Sequence, residues 1–391
     1  MPKKTYFTKE KTEKKFIVTL TVTRNCNLKC QYCYEPHEHK EKKNMDFEVA
    51  KEVISRYMVA DNGCDKTEIQ FFGGEPMLAF PLIKQIVDWF HSRSWDKGHI
   101  FFIGTNGTIL TEEMKEWLRA HRQCVVAGFS IDGNKIAHDI GRDNSYDLLR
   151  GNLPFFLETW PTQPAKMTIC AETIPYVAES IMELEELGLN FTANVVFEDI
   201  WGDPVRKKEL LDEYKTQLLR LVDFYADRPD LEPVGPLLRG ELEYIDNPNR
   251  LTQLDGDCIR YCGAGHDMVM VDVDGSTYPC HRFAPWVSGR PAPESPPNRQ
   301  KEWKPVQCAE CKYISLCPTC AGFNWEVNGS TGIRTTYHCE AFKLELLASA
   351  KLQAIRLGRQ KPEDLAQLPR DEAARIKRRI NTILELAESG I

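Results

Sequence analysis

The chain is poor in several features that would each announce a class of function. No stretch of uncharged apolar residues approaches the roughly 20 that a membrane-spanning helix requires. The start, Met1 to Lys15, is rich in lysine and lacks the apolar run of a signal peptide. Positive charge is not in excess: 50 Lys and Arg face 57 Asp and Glu, a formal net charge of -7, so nothing points to a nucleic-acid partner. Together these absences predict a cytoplasmic protein that meets neither membrane nor nucleic acid. What the chain does have is cysteine, 14 in 391 residues. In a reducing compartment disulfides are rare, and clustered cysteines read as metal ligands. Hydrophobic residues make up 42% of the chain, enough for a large core and for two domains or more.

From Phe16 to about Phe197, short β-branched or aromatic runs alternate with longer amphipathic stretches, the pattern of strand and helix units on a parallel sheet. The expected strands are Phe16 to Val22, Glu68 to Phe72, Ile100 to Gly104, Val125 to Ile131, Met167 to Ala171 and Phe191 to Phe197. Helices are expected over Asp46 to Val59, Pro81 to His91, Thr111 to His121 and Pro175 to Leu187, with Asp46 and Thr111 as caps. The fold class is therefore α/β: six units form a partial (β/α)6 TIM-like barrel open on one side, with ligands at the carboxyl ends of the strands.

Directly after the first strand comes Cys26-Asn-Leu-Lys-Cys30-Gln-Tyr-Cys33. Three thiolates can hold three corners of an iron-sulfur cube and leave the fourth iron open, whereas fully ligated clusters take four cysteines. A zinc knuckle or a redox pair is the competing reading of these three residues. Eight more cysteines follow a polar, proline-containing stretch near Pro229 to Leu254: Cys258, Cys262, Cys280, Cys308, Cys311, Cys317, Cys320 and Cys339. Twice four supports two fully ligated clusters, and a zinc ribbon is the rival. Cys64, Cys124 and Cys170 fall outside both fields and are expected to be small buried apolar groups.

The CxxxCxxC spacing, with Tyr32 before the last cysteine, resembles the signature of the radical SAM superfamily. In that family the open iron binds the amino and carboxylate groups of S-adenosylmethionine, and an electron from the cluster breaks its C-S bond to give a 5′-deoxyadenosyl radical. Phe72-Gly73-Gly74-Glu75-Pro76, Thr105-Asn106-Gly107, Ser130-Ile131-Asp132-Gly133 and Arg142 match the family's pattern in the same order. The resemblance implies that Tyr32, Gly73, Gly74, Glu75, Asn106, Ser130 and Arg142 contact the cofactor. It places the GGE segment on the methionyl amino group, Ser130 near the ribose or carboxylate, and Arg142 on a carboxylate.

The second cysteine field resembles the SPASM extension of one radical SAM branch, with Cys262-Gly-Ala-Gly and Gly275-Ser-Thr-Tyr-Pro-Cys280 framing a hairpin. By that resemblance Cys258, Cys262, Cys280 and Cys320 ligate one auxiliary cluster, and Cys308, Cys311, Cys317 and Cys339 the other. Two residues rather than the usual three separate Cys317 from Cys320. The implied cofactors are three 4Fe-4S clusters and S-adenosylmethionine. The implied layout is a basic extension over 1–15, the radical SAM barrel over 16–235, a linker over 236–257, the SPASM domain over 258–342 and a helical tail over 343–391. In that tail Ile376, Ile380, Ile383, Leu384 and Ala387 form an apolar stripe able to pack on the body.

Enzymes with such extensions mostly modify peptide or protein side chains. Sulfatase maturases of this branch typically carry an aspartate, the proposed base, after the third SPASM cysteine; here Cys280 is followed by His281. An imidazole can take a proton in its place, so His281 is the catalytic candidate. Tyr278-Pro-Cys-His281 looks more like the peptide-crosslinking branch, and the expected reaction is a thioether or carbon-carbon crosslink in a ribosomally made peptide. Formylglycine formation in a sulfatase, oxidation of a small alcohol, and a non-catalytic iron-sulfur or zinc protein are the alternatives. About fifteen residues precede the first strand, too few for a winged-helix leader grip, so a separate leader-peptide-binding protein or the barrel rim is expected to serve. An external electron donor such as flavodoxin or ferredoxin is the further partner. His37, Glu38 and His39 lie in a highly charged loop and read as solvated.

Overall fold

The structure is a computed structural model. It describes residues 14–35, 43–233, 237, 253–255, 258–260, 262–293, 308, 311 and 319–359, with isolated positions 374, 377, 378 and 381. Cys317, the loop at His37 to His39, most of the 236–257 linker and the stripe from Ile376 to Ala387 lie outside the described residues.

Six parallel strands form in chain order: β1 (Lys15–Thr23), β2 (Lys66–Gly73), β3 (Gly98–Thr105), β4 (Val125–Phe129), β5 (Ala165–Ile169) and β6 (Phe191–Val195). β1 to β4 hydrogen-bond side by side, and β5 pairs with β6. A single bridge between Ser130 and Lys166 carries the series from β4 to β5. The helices α1 (Phe47–Val59), α2 (Phe80–His91), α3 (Glu112–His121), α4 (Lys135–Gly141), α5 (Tyr146–Thr159), α6 (Val177–Glu186) and α7 (Pro204–Ala226) fill the connections. This is the partial α/β barrel expected from the alternating pattern. The expected caps form: Asp46 Oδ1 accepts from Glu48 N at 2.8 Å and Thr111 Oγ1 from Met114 N at 3.3 Å.

Strand period two divides the side chains between two faces. On β1 to β5, Val18, Leu20, Ile69, Phe71, Phe101, Ile103, Val125, Ala127, Met167 and Ile169 are buried in the core shared with the helices, where they meet Ile54, Ile83, Phe90, Leu118, Phe156 and Ile181. The alternate residues line the lumen, which is more polar. There Thr19 Oγ1 donates to Gln70 Oε1 at 3.1 Å, and Lys166 Nζ donates to Asn194 Oδ1.

Several sequence boundaries move. β4 stops at Phe129 rather than Ile131: Ser130 N makes the last bond to β3, to Thr105 O at 3.1 Å, and Ser130 bridges Lys166 of β5. β5 ends at Ile169, since Ala171–Tyr176 winds into a 3-10 turn ahead of α6 and takes up the first residues of the helix expected from Pro175. The helix α5 forms despite Pro154 within it. Cys170 is buried as expected, but Cys64 and Cys124 are half-buried at the rim of the core.

The C-terminal region is stitched into the barrel. After two short strands, β7 (Gln253–Asp255) and β8 (Cys258–Arg260), the strand β9 (Met268–Val271) pairs parallel to β1 on the edge opposite β2, and β10 (Thr277–Tyr278) returns antiparallel to β9. The sheet thus runs β10-β9-β1-β2-β3-β4, and the expected domain start at 258 is not a break in the sheet. Beyond it come the short helix α8 (Pro285–Ser288), then α9 (Ala321–Asn328) and α10 (Cys339–Gly358). α10 packs along α7, where Tyr214 donates to Glu345 Oε1 at 2.6 Å and Arg356 donates to Tyr225 O at 2.8 Å. Among the described residues no helix is long and apolar enough to cross a membrane.

Candidate functional site

The Cys26 to Cys33 loop leaves β1 at the carboxyl end of the sheet, and main chain holds it there. Gly74 N donates to Thr23 O at 3.0 Å and Glu75 N to Asn25 O at 2.7 Å. These bonds bring the end of β2 so close that a Cβ on Gly73 would lie 1.9 Å from Thr23 O, and one on Gly74 2.1 Å from Asn25 O. Gly73 also sits at φ 129°, a backbone region that favours glycine. Farther along, Gln31 N donates to Gly141 O at 3.0 Å and Lys29 N to Asp143 Oδ2 at 3.0 Å, which ties the loop to α4 and the turn after it.

Glu75 does not present its carboxylate outward. It is buried, with Oε1 accepting from Met77 N at 3.0 Å and from Thr105 Oγ1 at 2.7 Å, and Oε2 accepting from Asn106 N at 2.7 Å. Burial raises its pKa, opposed by the bonds from Asn106, Thr105 and Met77. Glu75 therefore fastens the turn after β3 to the turn after β2. The Asn106 side chain serves the loop as well: its Nδ2 donates to Asn27 Oδ1 at 2.9 Å, while Asn27 Nδ2 donates to Thr108 Oγ1 at 2.9 Å.

Arg142 meets a carboxylate inside the protein. Its Nε donates to Asp132 Oδ2 at 2.9 Å, Tyr32 donates to the same oxygen at 2.5 Å, and the guanidinium lies 5.4 Å from the Tyr32 ring centre. Asp132 Oδ1 accepts from Thr168 N at 2.9 Å. Burial alone would ease the proton off Arg142, but Asp132, Tyr32 and Cys30 hold it firmly charged. Asp132 was quoted within its motif but not singled out by sequence reasoning; the missed signal was an acid next to a glycine, Gly133, at φ 107°. His138 supports the same turn. Its Nδ1 accepts from Asp132 N at 3.2 Å and its Nε2 faces Ser145 Oγ at 3.1 Å.

The three thiols sense one another. Burial pushes Cys30 up to about 12, Arg142 opposes this, and Cys33, Asp132 and Cys26 add to the rise. Crowded thiols remain protonated until a cation takes them, so binding an iron-sulfur cluster here releases protons. The donor set suits such a cluster: three soft sulfur ligands on one loop, a buried guanidinium beside them, and a glycine pair that admits no side chain.

Cysteines of the second field also sense one another. Burial pushes Cys280 up to about 12, with Cys320 and Cys262 contributing. Burial likewise raises Cys308, with Cys339 and Cys311 adding to the rise. Cys262 and Cys320 thus influence Cys280, and Cys311 and Cys339 influence Cys308. The Cys258 side chain lies outside the described residues. Among the described residues no three His, Cys, Asp or Glu side chains close around a single metal ion.

His281 joins the two fields. Its ring lies between Tyr34, at 5.1 Å between ring centres, and Phe72 at the end of β2, at 5.0 Å. Burial and then Arg282 lower its pKa to about 4. Arg282 lies over the rings of Tyr34 and Phe323 and pairs with Glu198 and Glu326.

Comparison with known proteins agrees with this geometry. Residues 20–151 match the model of the radical SAM superfamily. Over 274 residues the chain is 30% identical to an uncharacterized protein of Methanocaldococcus jannaschii, covering 67% of this chain and 83% of that one. It is 23% identical to the cysteine-type anaerobic sulfatase-maturating enzyme of Clostridium novyi, over 82% of this chain and 91% of the relative. With the antilisterial bacteriocin subtilosin biosynthesis protein AlbA of Bacillus subtilis it shares 31% identity over 68% of this chain and 54% of that protein. In fold it resembles native anSMEcpe with bound AdoMet, with a TM-score of 0.65 at 18% identity over 88% of this chain and 100% of the other. It also resembles Streptococcus suis SuiB bound to precursor peptide SuiA, with a TM-score of 0.54 at 14% identity over 82% and 75% of the two chains. The three-cysteine loop at the carboxyl end of β1, the glycine pair that seats it and the matched segment around them agree: the chain belongs to the radical SAM superfamily.

Proposed function

We propose that this chain is a peptide maturase of the SPASM branch, which takes two hydrogens from a peptide, one as an atom and one as a proton and an electron, to form a thioether or carbon-carbon crosslink. The electron would be taken up by an auxiliary cluster held by the second cysteine field and the proton would pass to solvent. The observation that carries this reading is the seat of His281: the residue after Cys280, at the start of the 3-10 turn that follows β10, stacks on Phe72 at the end of β2. The ring sits where the two cysteine fields meet. Burial and then Arg282 lower its pKa to about 4, so the ring is neutral at pH 7 with a proton affinity close to that of an ordinary aspartate. The names of AlbA, a bacteriocin biosynthesis protein, and of the SuiB complex with its precursor peptide support a peptide substrate. The sulfatase-maturating relative, matched over 91% of its length, supports formylglycine formation as the second reading.

In this proposal Cys26, Cys30 and Cys33 hold the cluster, with the main chain of Gly73 to Glu75, Ser130 and Arg142 around S-adenosylmethionine. Together these groups supply an electron and a primary carbon radical when bound. The two further cysteine groups hold auxiliary clusters, for three in all. The chain itself orients and excludes water. Glu75 and Asn106 lock the turns that bear the cofactor, Asp132 and Tyr32 keep Arg142 charged and aimed, and the rings of Tyr34, Phe72 and His281 stack at the end of β2. A cytoplasmic location and a separate electron donor complete the reading.

The test is anaerobic incubation of reconstituted enzyme, S-adenosylmethionine and a reductant with a short peptide encoded beside the gene, read by high-resolution mass spectrometry. Loss of two hydrogens, no reaction with a carbonyl-trapping hydrazine and a fragment-resistant stretch are expected. An unchanged peptide, with conversion of a sulfatase-derived cysteine peptide to an aldehyde, would establish the second reading instead.

A further inference from the structure

The lumen contains a lysine with no acid of its own. Lys166 stands on β5 between Ala165 and Met167, which are buried on the opposite face. By strand alternation its side chain enters the barrel, next to Ser130 across the bridge that joins β4 to β5. Its Nζ donates to Asn194 Oδ1 on β6, and among the described residues it forms no ion pair. The nearest carboxylate that influences it, Asp132, is fully engaged by Tyr32, Arg142 and the Thr168 amide.

Lys166 is exposed to solvent on the lumen face of β5, opposite the buried Ala165 and Met167. A cation that faces the lumen and forms no ion pair among the described residues can pair with a ligand that brings a carboxylate. Asn194 on β6 steadies the amine through its side-chain oxygen.

We propose that Lys166, with Asn194, is the substrate-carboxylate site of the barrel, taking an acidic side chain or the free C terminus of the peptide. This rests on the peptide-maturase reading. The ion pair orients the substrate backbone toward the loop of Cys26 to Cys33, so Lys166 is a binding and positioning residue that leaves the radical chemistry to others.

The test uses the reconstituted holoenzyme with S-adenosylmethionine and the neighbouring-gene peptide, fluorescently labelled at its N terminus, in four forms. These are the parent, a form with every Asp and Glu changed to Asn and Gln, a C-terminally amidated form, and a form with both changes. Wild type is expected to bind the parent about tenfold more tightly than the doubly neutral form, a typical gain for one charge-assisted contact. Whichever single change reproduces the loss identifies the source of the carboxylate. Lys166→Met should erase the preference at unchanged iron content and S-adenosylmethionine affinity, and Lys166→Arg should restore it. Equal binding of all four forms by wild type overturns the carboxylate site while leaving the peptide reading intact. A preference that survives in Lys166→Met overturns it too. A matching loss of S-adenosylmethionine affinity in Lys166→Met would assign the amine to the cofactor and overturn the proposal. Failure of wild type to bind or modify any form would bring down the peptide reading and this site with it.

Discussion

Tyr34 and His281 lie face to face, their ring centres 5.1 Å apart and their planes 21° from parallel. Each residue directly follows a cysteine, Cys33 in the loop after β1 and Cys280 after β10, so the stack links the two cysteine fields through a single ring contact. Phe72 covers the other face of His281. Aromatic pairs of this kind contribute about 1 kcal/mol each beyond the area they bury.

His281→Phe is therefore expected to keep the urea unfolding midpoint close to that of wild type, whereas His281→Ala loses about 2 kcal/mol. Activity separates packing from proton transfer. If the ring only packs, His281→Phe retains peptide turnover; a variant that still forms 5′-deoxyadenosine but leaves the peptide unmodified would reveal His281 as the proton acceptor.

The glycine pair permits a sharper prediction. Gly74→Ala places a methyl 2.1 Å from Asn25 O, a contact no rotamer relieves, and so unseats the start of the cysteine loop. Iron per chain should fall by about the four atoms of one cluster. Gly151→Ala in α5, where a Cβ meets nothing within 4 Å, is the control. It should keep its iron and stabilise the chain by about 0.5–1 kcal/mol. Full iron loading of Gly74→Ala would refute the assigned role of the close approach.

Acid should weaken the fold through His138. Burial lowers its pKa from 6.5 to about 4, so the unfolded chain binds the extra proton first. Stability is fully present above about pH 6.5 and declines as pH falls toward 4, by about 2 kcal/mol at pH 5. Unfolding midpoints of wild type and His138→Gln between pH 5 and 7.5 check this. The variant, less stable at pH 7.5, should lack that part of the decline; parallel curves would assign it to other groups.

The cysteine groups should behave as separate units. Cys26, Cys30 and Cys33 replaced together by alanine should abolish 5′-deoxyadenosine formation while about eight irons remain. Replacing Cys262, Cys280 and Cys320 should remove about four irons and leave the Cys308, Cys311 and Cys339 group loaded. Zinc rather than iron in the purified chain would favour the ribbon reading of the second field.

Much of the architecture is written locally. The alternation of β-branched runs with amphipathic stretches determines the barrel, because strand period two and helix period 3.6 are properties of neighbouring residues. The caps Asp46 and Thr111 and the CxxxCxxC loop are local for the same reason. The family likeness and the site motifs were also legible, since each lies within a few consecutive residues at a strand end. Which way the motif side chains turn was decided elsewhere. Glu75 faces the amide of Asn106, 31 positions away, and Arg142 meets Asp132 rather than open space, because buried charges and amides must find partners wherever the fold supplies them. The junction of β9 with β1 brings positions about 250 residues apart into register, as with Ile17 and Met268, and no local pattern encodes such a pairing. Sequence alone determined the cysteine spacing and the strand-end motifs that make the chain a radical SAM protein. Tertiary structure decided that His281 packs between Tyr34 and Phe72, and that Lys166 enters the lumen without an acid, because both depend on contacts made only after the strands assemble.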